Sequence, residues 1–271
     1  MSAPVIAHTT DLSGRDGAAF LHACALAAAG QARLVTVHGN APMGEADRLP
    51  DAAPVAARWN QARGGAGLAL QIDHQRRCHE CCDDVTDTLL DALRQIAPGL
   101  VVTGMQPRRG LAALLHSSVS EALARNVEVP TLVVPNQGVG FVNEQTGEIS
   151  LRRVLIPAGD VTTASVGLAA ARALCELSAT TDAELVVLHV GEHDLGLPAE
   201  LGPSVRVLRR RGRLEDAIAE VAREEGACVI VMPTHGHDGL RDSLLGSHTE
   251  HVVRGATCPV LVVPLGVRGE G

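Results

Sequence analysis

The sequence predicts an α/β protein: two tandem Rossmann-like copies, each a parallel sheet with helices on both faces. Three observations carry this. First, the chain matches itself. Residues 110–135 lie on 239–264 without a gap, and 11 of those 26 positions are identical, among them Pro130, Leu132, Val133, Val134 and Pro135. A match of that density marks an internal repeat. Second, short β-branched runs alternate with stretches of helical spacing, the pattern of strand–helix–strand units in a parallel sheet. Third, the apolar run "CVIVMP" empties into a loop holding Gly236, Gly239 and Gly246, just where ligands bind in such sheets.

The elements follow in order. The first copy opens on a strand in "VIAHTTDLS" (5–13), which pairs with "VLIPAGDVT" (154–162), about 149 residues on. That shift exceeds the 129 of the later match, so the first copy is longer by about 20 residues, placed before residue 97. Its helix "VTDTLLDALRQ" (85–95) precedes the strands "LVVTG" (100–104) and "VPTLVVP" (129–135). The domains are 1–140 and 150–266, divided within the polar stretch "NQGVGFVNEQTGEIS" (136–150). In the second copy "RVLIP" (153–157) reads as a strand, and the next 17 residues, 162–178, as a helix with Val166, Ala170, Ala173 and Leu177 on one face. Strands 184–190 and 204–209, helix 213–226, strand 228–232, a helix from Ser247 and strand 259–263 complete it. The carboxyl ends of these strands bring Asp11, Gly104, Gly159, Val190 and Pro233 to the ligand edge.

Composition excludes several functions. The chain has 271 residues, 23 basic and 31 acidic, for a net charge of −8, which argues against general nucleic-acid binding. All the basic residues are arginine, so Schiff-base chemistry on a lysine is excluded. No apolar run is long enough to span a bilayer and the first residues lack a signal-peptide pattern, so a cytoplasmic protein is expected. Seven cysteines, an odd number in a chain this long, do not form a secretory disulfide framework. There is no Gly-x-Ser-x-Gly elbow, His-Glu-x-x-His helix or Walker Gly-Lys-Ser/Thr.

Ser247 and Glu250 have capping-box spacing, as do Ser118 and Glu121 in the first copy. A helix starting at Ser247 aims free amides and a positive dipole end across the glycine loop, an arrangement suited to phosphate or equally to a plain glycine-eased turn. Here "PTHGHDGLRDSLLGSHTEHVVRGATCPVLVVP" resembles the C-terminal signature of the universal stress protein family, Gly-x2-Gly-x9-Gly-Ser/Thr, which reads Pro233-x2-Gly236-x9-Gly246-Ser247 in this chain. The order of strands and the "TTDLS" of the first copy are also similar to that family. The resemblance implies an adenine-nucleotide-α-hydrolase-like fold with five-stranded sheets of order 3-2-1-4-5, packed as an internal pseudo-dimer through their last strands. It also implies ATP or a related adenine nucleotide as ligand. In the second copy it points to Pro157, Gly159, Val190, Met232, His235, Gly236, Gly246, Ser247 and Thr249, and in the first to Asp11, Gly104 and Ser118. Each copy departs from the pattern. The second has Gly159 where the family has Asp, with Asp160 one residue late, and the first has Pro107 and Ser117 in place of glycines.

The stretch "DHQRRCHECCDD" (73–84) gathers His74, Cys78, His79, Cys81 and Cys82. Cys78-x2-Cys81 has the spacing of a thiolate pair on zinc, to be completed by His74 or Cys82, with His38 as a neighbour. A redox-active thiol set and an incidental cluster are the competing readings. Cys24, Cys175, Cys228 and Cys258 read as small core residues, and His189 as structural. Three functions remain open: a nucleotide-binding stress-response regulator with at most slow ATP hydrolysis, a nucleotide-free signalling module with a protein partner, and a metal or thiol sensor. Either a monomer or a homodimer fits the internal pair.

Overall fold

The computed structural model describes residues 3–39, 49–64, 71–79, 84–105, 123, 127–192, 195–196, 204–235 and 247–265. The first half runs β1 (Val5–Thr9), α1 (Gly17–Ala29), β2 (Arg33–Gly39), α2 (Ala52–Ala62), β3 (His74–His79), α3 (Val85–Ile96), β4 (Leu100–Met105) and β5 (Thr131–Pro135). The second runs β6 (Arg153–Pro157), α4 (Val161–Leu177), β7 (Glu184–Val190), β8 (Val205–Arg210), α5 (Leu214–Glu225), β9 (Val229–His235), α6 (Ser247–Gly255) and β10 (Val260–Leu265).

Each half has the strand order 3-2-1-4-5, but the halves do not form two separate sheets. Among the described residues all strands lie in one ten-stranded sheet, β3-β2-β1-β4-β5-β10-β9-β6-β7-β8. Pairing is parallel within each half and antiparallel only between β5 and β10, where Val133 faces Val260 and Leu132 faces Leu261. The reason is in these two strands: both are almost wholly apolar and buried, so neither can stand as a solvated edge. The outer strand β8 is guarded instead by charge. Arg206 pairs with Glu184 at 2.8 Å and with Glu225 at 2.7 Å.

One apolar core spans both halves, with Ile6, Leu26 and Leu132 from the first and Ile156, Leu168 and Leu261 from the second. It lies under α1 and α4, whose ends meet where Gly30 lies against Leu177; a Cβ on Gly30 would fall 2.3 Å from Leu177 Cδ1. Local signals set the helix ends. Asp84 caps α3 by accepting from Thr86 N–H at 2.6 Å, and α5 stops at Gly226, whose φ of 60° suits glycine.

The extra length of the first half falls between β2 and β3, where it contains α2. Trp59 on α2 is fully buried and donates from Nε1 to Glu144 O at 3.0 Å, while Arg63 Nε donates to Thr146 O at 2.9 Å. The linker between the halves is thus a short hairpin, bridged at Val142 and Ile149, held down by α2.

Candidate functional site

Hydrogen bonds settle how the two halves correspond at the strand ends. Thr10 N–H donates to Val37 O and Ala158 N–H to Leu188 O. His38 Nδ1–H donates to Thr10 O at 2.7 Å, and His189 Nδ1–H to Ala158 O at 3.1 Å. Thr10 therefore matches Ala158, an offset of 148, one less than the 149 that the strings suggest. Asp11 then corresponds to Gly159, and Asp160 does stand one residue late. Its carboxylate is occupied by the start of α4, accepting from Thr163 N–H at 2.8 Å and from Thr163 Oγ1 at 3.0 Å. His189, with its ring spanning the ends of β6 and β7, has the structural contact that its equivalent His38 also makes.

In the second half Pro157 closes β6, and a Cβ at Gly159 would meet nothing within 4 Å. Val190 closes β7, half-buried. Met232 is buried on β9, which ends at His235. Gly236 and Gly246 lie outside the described residues. Helix α6 begins at Ser247, as its spacing predicts, and Thr249 in its first turn is buried. Glu250 pairs with Arg254 at 2.5 Å, and His248 Nδ1 lies 2.7 Å from Glu215 Oε1. The parallel register brings the ends of β6, β7 and β9 to one edge. At the end of β8, Arg210 pairs with Glu224 at 3.2 Å.

In the first half Asp11 is exposed and accepts from Ser13 N–H at 2.8 Å. Gly104 is hemmed in: an added Cβ would lie 2.9 Å from Asp16 Cβ and 3.0 Å from Asn136 Oδ1. Pro107, Ser117, Ser118 and Glu121 lie outside the described residues.

The cysteine–histidine stretch is only partly in view, since Cys81 and Cys82 lie outside the described residues. His74 belongs to the core side of β3. Its Nδ1 accepts from Ala52 N–H at 3.2 Å, and its Nε2–H donates to Thr36 Oγ1 at 2.8 Å. Four residues of extended chain put it about 13 Å from Cys78 along the strand, too far to share one ion. The expected ligand His74 is therefore set aside, because both ring nitrogens are engaged elsewhere. His38, by contrast, is the direct cross-strand neighbour of Cys78. Among the described residues no group of three or more His, Cys, Asp or Glu is arranged around a metal position. Cys24, Cys175 and Cys258 are buried, and Cys228 is half-buried. Burial pushes the Cys258 thiol up to about 12 and raises Cys24 and Cys175, so these are poor nucleophiles.

A cleft of about 400 Å³ lies away from the ligand edge, lined by Ala25, Trp59, Arg63, Glu148, Arg152 and Asp182. No unpartnered buried side-chain atom faces it among the described residues. Sequence reasoning missed a different feature, the buried polar group of His8, Asp16 and Asn136 at the first half's ligand edge. The signal was present, since its matches in the second half are apolar. Among the described residues no helix is long and apolar enough to cross a membrane.

The comparisons agree with this architecture. The model of the universal stress protein family matches residues 5–135 and 192–264. Universal stress protein MJ0577 of Methanocaldococcus jannaschii is 38% identical over 64 residues, 24% of this chain and 40% of that protein. A universal stress protein of Mycolicibacterium smegmatis is 27% identical over 227 residues, 73% of this chain and 69% of that one. The crystal structure of a universal stress protein from Archaeoglobus fulgidus shares the fold, with a TM-score of 0.65 at 20% identity, covering 98% of this chain and 100% of that one. With one family match over β1–β5 and another over β8–β10, the chain belongs to the universal stress protein family and carries its domain in tandem.

Proposed function

We propose that this chain is a regulatory stress protein that binds ATP or a related adenine nucleotide at the carboxyl ends of β6, β7 and β9. The observation that carries this is the start of α6 at Ser247, on the strand-end edge and directly after the glycines of the loop. Amides at such a helix start are suited to phosphate oxygens. Gly236, Gly246, Ser247, Thr249 and His235 serve the phosphates in this reading. Val190 and Met232 serve the base, with Pro157 and Gly159 beside them. In the first half Asp11, Gly104 and Ser118 form a weaker second site, because Gly104 is walled in by Asp16 and Asn136. The nucleotide acts by shifting conformation or partner affinity, and hydrolysis is slow.

The test is isothermal titration of nucleotide-free protein with ATP. One ATP per chain, lost in Gly246→Glu, is the expected result. No binding to the parent chain would sink the proposal. Cys78, Cys81 and Cys82, with His38 in place of His74, are a second candidate group, for zinc. Zinc measured on the same purified sample, and lost with Cys78→Ser, reads that site.

A further inference from the structure

The repeat contains its own control. The offset of 148 at β1 and α1, and of 129 at β4 and β5, matches these elements of the first half to β6, α4, β9 and β10 of the second. His8 then corresponds to Ile156, Asp16 to Ala164, Gly104 to Pro233 and Asn136 to Leu265. On the second half's side these positions are apolar. Ile156 and Pro233 both pack on Gly167, where a Cβ would lie 2.4 Å from one and 3.1 Å from the other. The fold therefore does not require polar groups here, yet the first half has three of them on the same face.

Each of the three leaves a buried atom without a partner, although the Asp16 carboxylate also accepts from the Thr10 side chain. His8 is fully buried, and both its ring nitrogens lack a hydrogen-bond partner. Asp16 Oδ2 and Asn136 Oδ1 are also buried without partners. His8 Nε2 lies 3.9 Å from Asp16 Oδ2, and Asp16 and Asn136 close on the same side of Gly104. A buried polar group left unpaired costs its desolvation free energy. A neutral imidazole presents one lone pair and one N–H. With the lone pair on Nε2, that nitrogen, the carboxylate oxygen and the amide oxygen form a set of acceptors that a cation would satisfy. Nitrogen and oxygen donors of this kind suit a divalent first-row metal, and about 2.0–2.2 Å from each of two donors is a spacing that a 3.9 Å gap admits.

We propose that the first half holds a divalent transition-metal ion between His8 Nε2 and Asp16 Oδ2, with Asn136 Oδ1 as the third protein ligand. The ion ties the end of β1 to the start of α1 and the end of β5. It is a different site from the cysteine stretch and does not depend on nucleotide binding in the second half. The side chain of Asp16 is 13% exposed, which gives the ion its way in.

The experiment titrates metal-stripped Cys78→Ser protein, in which the candidate cysteine group is broken, with Co2+ and follows the visible absorption. One Co2+ per chain is expected, with d–d bands and no thiolate charge-transfer band. His8→Ile and Asp16→Asn, added to that background, should each weaken binding by about tenfold or more, since loss of a ligand costs at least what loss of an outer-shell partner does. Asp16→Asn keeps side-chain size, and circular dichroism checks that each variant is folded. Cobalt binding undiminished in folded Asp16→Asn would overturn the site, as would a thiolate band in place of this spectrum, or no binding at all.

Discussion

Gly159 and Asp160 show how much a single position decides. Both halves end their first strand on a carbonyl held by a histidine, but one residue later the first half has Asp11 and the second has Gly159. Asp160 does not slip back to replace it, because a capping box with Thr163 holds it at the start of α4. Gly159 has open space at its Cβ and no left-handed φ, so a side chain fits there without strain. If the nucleotide lies where we propose, Gly159→Asp supplies the carboxylate that the first half already has. A charged hydrogen bond adds about 1.5–3 kcal/mol, so ATP affinity should rise about tenfold or more in a calorimetric titration. Unchanged affinity would place the nucleotide elsewhere. The departure at Gly159 was legible in the sequence, but the reason Asp160 cannot compensate was not, since capping is a matter of which amides it meets.

At the scale of elements, the strands and helices of the second half fall within one or two residues of where their periodicity puts them, except that β9 runs three residues further, to His235. Helix α2 is the element that the repeat could not supply, because no helix stands between β7 and β8 among the described residues. Its importance lies in Trp59, the only tryptophan of the chain. The ring is stacked against Gly147, whose φ of 65° turns the linker hairpin under it. Removing it leaves a cavity under the linker and strands the carbonyl of Glu144. Trp59→Ala should therefore cost about 3–5 kcal/mol in a denaturant melt followed by circular dichroism. Hydrogen exchange at residues 141–151 should speed up with it; protection unchanged there would show that α2 does not hold the linker.

The described strands form one sheet, and one apolar cluster spans both halves and the linker, so these parts are stabilised together. His22 is where this becomes sensitive to pH. Its Nδ1–H donates to Ala18 O at 2.7 Å, and its Nε2 accepts from Phe141 N–H at 3.2 Å, an arrangement open only to the neutral ring. Burial lowers its pKa to about 4, against the opposing pull of the Ala18 carbonyl. A folded pKa below the unfolded value of about 6.5 gives stability that is complete above 6.5 and lost as pH falls towards 4. The thermal midpoint should fall across that window, and less steeply in His22→Gln. An equal slope in the variant would assign the acid sensitivity to other groups, His8 first.

The sequence by itself determined the repeat, the alternation of strands and helices, the family and the residues at the strand ends. Those are properties of periodicity and spacing, which survive in a string. Only the tertiary structure decided that β5 and β10 fuse the halves into one sheet, that His74 faces the core, and that His8, Asp16 and Asn136 converge. Such facts depend on register between segments far apart in the chain. A shift of one residue in that register would turn each of these side chains to the opposite face.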